Sequence, residues 1–332
     1  MTKPTLRSSM LPALEQTLKD TLAELNKPPV EEMYAMVAHH LGWTNSSTSR
    51  GKRIRPLLTL LSCAGTGGDW QLALPAAAAI ELIHNFSLIH DDIEDNSDTR
   101  RGRPTVWKQW GMPQALNTGD AMFTLAFLAL MRLDTAALPL ERILSCRVRL
   151  DKACLQLTRG QHLDIAFETR ENVTTDEYLE MIRGKTSALL AASCACGACL
   201  ATDADDTIDA YHRFGLHLGL AFQIQDDILG LWGDPLNTGK PAGDDLRQRK
   251  KTYPLLVALH SSQSFRAAWA LPGQPLESML DILAGIPARQ AAEEAARQHM
   301  ESALAALRQA APVGDAGREL QQLSQRLLNR ST

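Results

Sequence analysis

Leu88–Trp107 reads LIHDDIEDNSDTRRGRPTVW, an apolar run followed by clustered aspartates and then arginines. In a helix, Asp91 and Asp95 lie on one face, with Asp92 about 100° further round from Asp91. Carboxylates held so close repel each other, so the arrangement indicates a bound divalent cation. Oxygen ligands of this kind favour Mg²⁺ or Mn²⁺, and Mg²⁺ characteristically shares its shell with substrate phosphates.

Arg100, Arg101 and Arg103 follow these aspartates, and their forked guanidinium groups suit phosphate oxygens. A solvated, charged helix end is the alternative interpretation of such a run. An EF-hand loop fits worse. Counted from Asp92, its sixth position is Ser97 instead of glycine, and its twelfth is Arg103 instead of glutamate.

A second acidic stretch lies at Phe222–Lys240, FQIQDDILGLWGDPLNTGK. Asp226 and Asp227 again follow a long apolar segment. Two carboxylate pairs, each at the end of an apolar helix, are predicted to face each other across a cavity. A diphosphate bridged by metal ions would fit between them.

Together these stretches resemble the trans-prenyl diphosphate synthases, which make farnesyl, geranylgeranyl and longer prenyl diphosphates. The DDIED at Asp91–Asp95 is similar to the family's first aspartate-rich motif, without an insertion. The second motif departs from the usual DDxxD because Gly230 stands at its last position. That departure removes one carboxylate from the metal shell that the resemblance implies.

The composition predicts an all-α protein. Of 332 residues, 45% are hydrophobic but only 5% are aromatic, so the core is mainly alanine and leucine, which favours close-packed helices. The resemblance implies one large helical bundle around a central apolar cavity, of the isoprenoid synthase type. With no repeat or linker, we expect a single polyprenyl synthetase domain over 1–332. Apolar periodicity predicts helices over 8–26, 75–93, 111–133, 140–158, 178–201 and 211–232, with an acidic loop at 202–209.

The net charge, the hydropathy and the cysteines of the chain restrict where the protein is located and what it binds. A net charge of −4 argues against nucleic acid as a partner. The N-terminus lacks the apolar core of a signal peptide, and no uncharged apolar run of about 18 residues predicts a membrane span. Cys196 and Cys199 form the chain's one CxxC pair, in an alanine-rich segment. We expect buried thiols and a cytoplasmic protein.

GKRIRP at Gly51–Pro56 is the third motif. Gly51 permits close approach of a ligand, and Lys52 and Arg55 share a helix face. A capped helix start with solvated cations is the alternative. The resemblance implies that Gly51, Lys52 and Arg55 bind isopentenyl diphosphate, together with His84 and Arg101.

Two further patterns match the family. In GQHLD, Gln161 and Asp164 lie three residues apart and share a helix face. Lys185, in an apolar helix, needs a partner for its charge, and a diphosphate would supply one. The resemblance implies the following site. The metal ligands are Asp91, Asp92, Asp95 and Asp226, and Asp92 and Asp227 also act as close supports. The allylic diphosphate is surrounded by Arg100, Lys185 and Lys240. The substrate is also bound by Thr186, Gln161 and Gln223.

Chain length of the product is predicted from the helix that bears Asp91. Phe86 and Ser87 stand five and four residues before Asp91. By family precedent, an aromatic residue followed by a small one implies geranylgeranyl diphosphate, with farnesyl diphosphate as the near alternative. The resemblance also implies Mg²⁺ dependence, isopentenyl and allylic diphosphates as substrates, and a homodimer. A terpene cyclase of the same fold and a non-catalytic subunit of a heteromeric synthase remain alternatives.

Overall fold

The computed structural model describes residues 5–44, 51–234, 243–271 and 273–328. These residues are overwhelmingly helical, which confirms the all-α class. The chain divides into two compact units, described separately below. Unit 1 comprises Met1–Asp151, Ser193–Ile208 and Ala311–Glu319, and unit 2 comprises Lys152–Ala192, Asp209–Ala310 and Leu320–Thr332. The prediction of one domain over 1–332 stays a prediction.

Unit 1 consists of helices and one short β-hairpin. Its elements are α1 (Leu6–Leu22), α2 (Glu31–Leu41), α3 (Ile54–Gly65), α4 (Leu74–Glu94), β1 (Thr99–Arg100), β2 (Arg103–Pro104), α5 (Val106–Trp110) and α6 (Met112–Leu130), with short 3₁₀ turns at Ala23–Leu25 and Trp70–Ala73. The set is completed by the end of α9 (Ala188–Ala201) and by the starts of α7 (Leu140–Thr169), α10 (Asp205–Trp232) and α16 (Gly314–Leu328), since these helices continue across the division.

The core of unit 1 follows from helical spacing. Along α1, Met10, Leu14, Leu18 and Leu22 recur every four residues, and all four are fully buried. The central helix α4 begins with proline at its first turn, where a missing N–H costs no hydrogen bond. Its Ala76–Ala79 run is also fully buried. Small side chains there let neighbouring helices pack closely around the helix that carries the first aspartate motif.

Unit 2 contains α8 (Thr175–Ile182), α11 (Asp244–Arg247), α12 (Tyr253–Ser261), α13 (Gln263–Ala270), α14 (Leu276–Ala284) and α15 (Ala288–Ala310), together with the remaining parts of α7, α9, α10 and α16. One core cluster packs Tyr178, Ile224 and Leu256 around the helix that carries the second aspartate motif. A second cluster forms around Phe265 and Leu255.

Three helix predictions need correction. Helix α7 extends to Thr169, beyond the predicted 140–158. The predicted acidic loop at 202–209 is partly helical because α10 begins at Asp205, where Asp205 and Asp206 occupy its first turn. Acidic side chains there interact favourably with the helix dipole. The helix predicted at 178–201 begins at Thr175, after a capping box formed by Thr174 and Glu177.

Two helical segments are long and apolar enough to cross a membrane by length and composition alone: Trp70–Glu94 and Thr175–Ala201. In their most apolar windows, 61% and 83% of residues respectively are buried inside the protein. Burial of that extent is typical of core helices. All six cysteines are free thiols, five of them buried, as the sequence predicts.

The histidine pair of unit 2 gives stability a pH dependence. Nδ1 of His217 on α10 lies 3.1 Å from Nδ1 of His299 on α15. Burial, reinforced by His217 and Arg183, lowers the pKa of His299 to about 4. In the unfolded chain, His299 therefore takes up a proton near pH 6.5, whereas in the folded chain it does so only near pH 4. The free energy of unfolding thus falls as the pH drops through that window.

We expect His299→Gln to reduce this acid-induced loss by about 1–2 kcal/mol, allowing for the partial exposure of the ring. Urea unfolding near pH 7 and near pH 4 measures the difference. His260→Gln, at an exposed histidine of α12, is the matched control. The account of this pair is wrong if the His299 variant and the parent lose equal stability.

Candidate functional site

The first aspartate motif lies at the end of α4, in unit 1. Asp91 is on the last turn with a side chain 19% exposed, while Asp95 caps the helix and is exposed. The backbone N–H of Asp95 donates to the carbonyl of Asp91 at 2.8 Å. Asp91 and Asp95 are thus one turn apart, and both are at least partly exposed.

Asp92 has a different environment. Its side chain is 2% exposed, and Nε of Arg100 donates to its Oδ1 at 2.7 Å. Its buried Oδ2 accepts no hydrogen bond from the described residues. Burial raises the pKa of Asp92 to about 6, although the charge of Arg100 opposes the shift. Arg100 also contacts Asp91 at 3.5 Å, so it bridges both carboxylates.

The arginines that follow lie on a β-hairpin instead of a helix. Thr99 pairs with Pro104 and Arg100 with Arg103, so Arg101 and Gly102 form a two-residue turn. Both have positive φ, 53° and 74°, as in the hairpin turn that twists with its strands. Glycine takes this conformation without strain, whereas Arg101 is held in it. The hairpin directs Arg100 and Arg101 to different partners.

Gly51 packs directly against the guanidinium of Arg101. A Cβ at position 51 would lie 2.8 Å from Nη1 of Arg101, and Gly51 has φ +79°. Any other residue there would be strained and would displace the arginine. The structure therefore brings together Gly51 and Arg101, which the sequence assigned to one substrate site. Lys52, beside them in sequence, is exposed.

Arg55 and His84 form the next contact of this cluster. Nη1 of Arg55 lies 3.1 Å from Nε2 of His84, and an arginine can only donate, so Nε2 accepts. Burial, together with the charges of Arg55 and Arg101, lowers the pKa of His84 well below its usual value, which keeps the ring neutral. Burial also lowers the pKa of Arg55 to about 10.

Two guanidinium nitrogens in this cluster are buried and have no hydrogen-bond partner among the described residues: Nε of Arg55 and Nη1 of Arg101. Buried donors are almost always satisfied, so each such atom needs an explanation. A bound anion would supply acceptors for both. The cluster fits a diphosphate better than it fits the alternative of solvated cations at a helix start.

Arg53, the first arginine of GKRIRP, has a structural role. It donates through Nε to Glu15 and through Nη1 to Glu81, both at 2.8 Å. Arg53 and Glu81 are each 3% exposed, and Asn85 donates to the same Oε1 of Glu81 at 2.9 Å. The network fixes the start of α3, where Lys52 and Arg55 lie on either side.

The second aspartate motif lies on α10, in unit 2. Asp226 is exposed and Asp227 is 4% exposed. Oδ2 of Asp227 accepts from the hydroxyl of Tyr178 and, at 3.0 Å, from the backbone N–H of Tyr253. Burial raises the pKa of Asp227 to about 7, and the Tyr178 hydrogen bond opposes that shift. Asp227 therefore anchors the helix end, while Asp226 lies at the surface.

Lys185 pairs with a carboxylate of the protein, where the sequence suggested a diphosphate. Its Nζ donates to Oδ2 of Asp164 in GQHLD. Two glycines make this possible. A Cβ at Gly160 would lie 2.8 Å from Cα of Lys185, and one at Gly184 would lie 2.9 Å from Cα of Gly160, so only glycines allow the two backbones to approach. The segment Arg183–Ser187 forms a π-helical turn, a feature frequent at functional sites.

The remaining predicted residues extend this group. Thr186 donates to Gln223 at 2.8 Å, and Gln223 donates to Asp227 at 3.3 Å. Gln161 is half-buried on α7. Lys240 lies outside the described residues.

Lys250 is a candidate that the motifs did not identify. Lys250 is exposed, and partial desolvation lowers its pKa, but the charges of Asp164, Asp227 and Asp245 outweigh this and raise it against the opposing charge of Lys185. Tyr178 was also missed as the partner of Asp227. In the sequence, Lys250 belongs to a run of charges and Tyr178 to a helix, and no pattern relates either to Asp227.

Gly230, where the second motif departs from the family, lies against Asp245. A Cβ at position 230 would overlap the carboxylate of Asp245, at 2.7 Å from its Cγ. Asp245 lies in the short helix α11.

The carboxylates of the aspartate motifs fit a magnesium ion only in part. Within the ranges that the structure describes, no three His, Cys, Asp or Glu side chains come close enough together to hold a metal ion by themselves. Mg²⁺, however, commonly takes one or two carboxylates and completes its shell with water and substrate phosphates. The exposed or partly exposed carboxylates of Asp91, Asp95 and Asp226 are ligands of that type, as is Oδ2 of Asp92, which has no hydrogen-bond partner in the part of the chain that the structure describes.

Phe86 belongs to an aromatic cluster in unit 1. Its ring lies 4.8 Å from that of Phe123 on α6, and Phe123 lies 4.8 Å from Phe127. The guanidinium of Arg147 covers the ring of Phe127 at 4.1 Å. Ser87 donates to the carbonyl of His84 at 2.8 Å and is half-buried. Phe86 therefore packs against α6.

Comparison with known proteins agrees with the fold and the motifs. A sequence model of the polyprenyl synthetase family matches residues 41–274. A geranylgeranyl diphosphate synthase from Mycobacterium tuberculosis is 40% identical over 290 residues, covering 83% of this chain and 82% of that protein. A (2E,6E)-farnesyl diphosphate synthase from Mycobacterium bovis is 41% identical over 277 residues, covering 81% and 75%. The crystal structure of a geranylgeranyl pyrophosphate synthetase from Pyrococcus horikoshii superposes with a TM-score of 0.88 at 34% identity, covering 96% of both chains. The chain therefore belongs to the polyprenyl synthetase family.

Proposed function

We propose that this chain is a short-chain trans-prenyltransferase that joins isopentenyl diphosphate head to tail to an allylic diphosphate, giving geranylgeranyl or farnesyl diphosphate. The observation that carries the proposal is the pair of buried guanidinium nitrogens, on Arg55 and Arg101, that have no hydrogen-bond partner among the described residues. A carboxylate cluster next to arginine donors suits a metal-bound diphosphate. Family membership and the names of both relatives support the same reaction.

The proposed reaction divides between two substrate sites. Gly51, Lys52, Arg55, His84 and Arg101 bind the diphosphate of isopentenyl diphosphate. Arg100, Lys185 and Lys240 neutralise the allylic diphosphate, whose C–O bond breaks with both electrons leaving on oxygen. The double bond of isopentenyl diphosphate attacks the allylic carbon, and the released diphosphate accepts the proton that the new cation loses. Fixed positive charges favour this step because they need no reorganisation as the leaving group gains charge.

We propose Mg²⁺ as the cofactor, with Mn²⁺ as a substitute, held by Asp91, Asp92, Asp95 and Asp226. When bound, the ion acts as a Lewis acid that stabilises the charge on the leaving diphosphate. In this proposal, Asp227 and the buried oxygen of Asp92 hold the adjacent metal ligands, Asp226 and Asp91, in position. Gln161, Thr186 and Gln223 border the allylic diphosphate. Placing both aspartate motifs on one diphosphate is part of the proposal.

Incubation of the purified chain with isopentenyl diphosphate and each allylic primer, with and without Mg²⁺, tests the function. We expect a prenyl product only when both substrates and Mg²⁺ are present. Conversion of an allylic diphosphate without isopentenyl diphosphate would indicate a cyclase. Absence of product from the chain alone would indicate a subunit that needs a catalytic partner.

Product length provides a second test. We expect Phe86→Ala to lengthen the main product by at least one isoprene unit, because removing the ring opens space below the growing chain. Ser87→Phe is expected to shorten it, because it adds a ring one position nearer Asp91. Chromatography of the products measures both changes. An unchanged distribution in the Phe86 variant would exclude this residue as the limit.

We also propose that the protein is a cytoplasmic homodimer. Leu140, Leu144 and Val148 recur every four residues on α7, each about half-exposed at 55%, 55% and 49%. Such an apolar stripe is costly to leave in water, so a second copy of the chain is its proposed partner. Light scattering should give twice the chain mass, and Leu144→Arg should give the monomer. A monomeric parent protein would contradict the proposal. The six free thiols support a reducing compartment.

A further inference from the structure

The C-terminal turn of α2 is fixed against the β-hairpin that carries Arg101. The carbonyl oxygen of His40, the penultimate residue of α2, accepts from Nη2 of Arg103 at 3.2 Å. Nε2 of the preceding His39 donates to the carbonyl oxygen of Pro104 at 2.8 Å. Two successive residues of α2 thus contact both residues of β2, and His40 is held close to the turn of the hairpin.

The imidazole of His40 is buried among positive charges. His40 is 6% exposed, and its Nε2 has no hydrogen-bond partner among the described residues. Burial lowers the pKa of His40 well below its usual value, reinforced first by the charge of Arg101 and then by those of Arg100 and Arg103. Arg101 and Arg100 also lower the pKa of His84, so both imidazoles lie in the field of the same arginines. The ring of His40 is therefore neutral, with a proton on one of its two nitrogens.

The environment of Nε2 indicates that this nitrogen carries the proton. Two guanidinium nitrogens of the same unit, Nε of Arg55 and Nη1 of Arg101, are also buried without a partner among the described residues. If Nε2 of His40 were an acceptor, a nearby arginine would be expected to donate to it, because buried polar groups are almost always paired. No described arginine does so. Three buried donors without an acceptor indicate a place for an anion.

We propose that His40 is a further binding residue of the isopentenyl diphosphate site, and that its Nε2–H donates to the same diphosphate as Arg55 and Arg101. A neutral imidazole adds a donor there without adding charge to a group that already contains several arginines. The inference rests on the proposed function, because it adds one residue to a substrate site assigned there. A buried water molecule bonded to Nε2 is the competing explanation.

Steady-state kinetics with both substrates at saturating Mg²⁺ measure the contribution of His40. For His40→Leu, we expect KM for isopentenyl diphosphate to rise about 10- to 100-fold, the usual contribution of a hydrogen bond to a charged group. The KM for the allylic primer should change little. His40→Gln should recover most of the affinity, because its side-chain amide can place a donor near the position of Nε2.

His39→Leu is the matched comparison. It removes a hydrogen bond between α2 and the hairpin but leaves the buried ring of His40 in place. We expect it to change KM for isopentenyl diphosphate much less than His40→Leu does. An equal change would show that His40 acts through the packing of α2 on the hairpin, and the proposal would be wrong.

Nuclear magnetic resonance provides a readout that a purely structural role would not change. In long-range ¹H–¹⁵N spectra of protein labelled at its histidines, we expect His40 to be neutral and protonated at Nε2. Its Nε2 signal should shift when isopentenyl diphosphate is added. A proton on Nδ1 only, or an Nε2 signal that does not respond, would leave the water molecule as the partner and overturn the proposal.

The outcomes separate this inference from the proposed function. If the parent protein forms no prenyl product with both substrates and Mg²⁺, the proposed function fails and the role of His40 fails with it. If the parent turns over but His40→Leu keeps its KM for isopentenyl diphosphate, the assignment of His40 alone is wrong. If His40→Gln is as impaired as His40→Leu, the ring does not act as a donor. Far-ultraviolet circular dichroism confirms that each variant folds.

Discussion

Asp91→Asn is expected to lower kcat about 10³-fold, the loss of on the order of 4 kcal/mol of transition-state stabilisation. Asparagine keeps the size of the side chain but loses the charge that a hard cation requires. It also leaves Arg100 without one of its two carboxylate partners, Asp91 at 3.5 Å. The effect should appear in kcat, because the ion stabilises charge that develops only as the C–O bond breaks.

Steady-state rates with isopentenyl diphosphate and an allylic primer, at saturating Mg²⁺, measure this effect. Asp98→Asn is the control, since Asp98 follows the motif closely but is exposed and pairs with Lys108 at 3.0 Å. We expect that variant to retain the parent rate. A kcat for Asp91→Asn within a few-fold of the parent would remove Asp91 from the proposed metal set.

Glu81→Ala is expected to lower the free energy of unfolding by about 3–5 kcal/mol, because it leaves the buried charge of Arg53 with Glu15 as its remaining partner. Burial lowers the pKa of Arg53, but the carboxylates of Glu81 and Glu15 outweigh it, so the arginine stays charged and depends on them. Asn85 also loses an acceptor. The loss should therefore exceed that of an ordinary surface ion pair.

Urea unfolding followed by circular dichroism provides the measurement. Glu24→Ala is the control, because Glu24 pairs with Lys27 at 2.7 Å on the surface, where both side chains are more than half exposed. Exposed pairs contribute little, so its unfolding midpoint should not change. Equal midpoints for both variants would show that the Arg53 network does not stabilise the fold.

Much of the fold was predictable because helices of this chain bury simple periodic faces. The predicted helix at 75–93 corresponds to α4 at Leu74–Glu94, within one residue at each end. Proline at the start and a continuous apolar surface make both ends clear. The start of α10 at Asp205 was missed because a cluster of aspartates is equally typical of a loop and of a helix N-terminus.

The site was predictable as a set of residue types but not as a set of contacts. The sequence identified Arg55, His84 and Arg101 through resemblance, and the structure places Arg55 against His84. No pattern in the sequence predicted that Lys185 pairs with Asp164 or that Asp245 lies over Gly230, since each pair joins distant parts of the chain. Periodicity relates residues within a helix, whereas such contacts depend on how helices pack.

Asp91 and Asp226 are proposed to act on one metal-bound diphosphate. Anomalous diffraction from crystals grown with Mn²⁺ and inorganic pyrophosphate tests this most directly, because it locates each manganese ion independently of the protein density. We predict manganese peaks beside Asp91 and beside Asp226 that share the oxygens of a single pyrophosphate. Peaks beside one aspartate motif only, or two peaks with no pyrophosphate in common, would contradict the account.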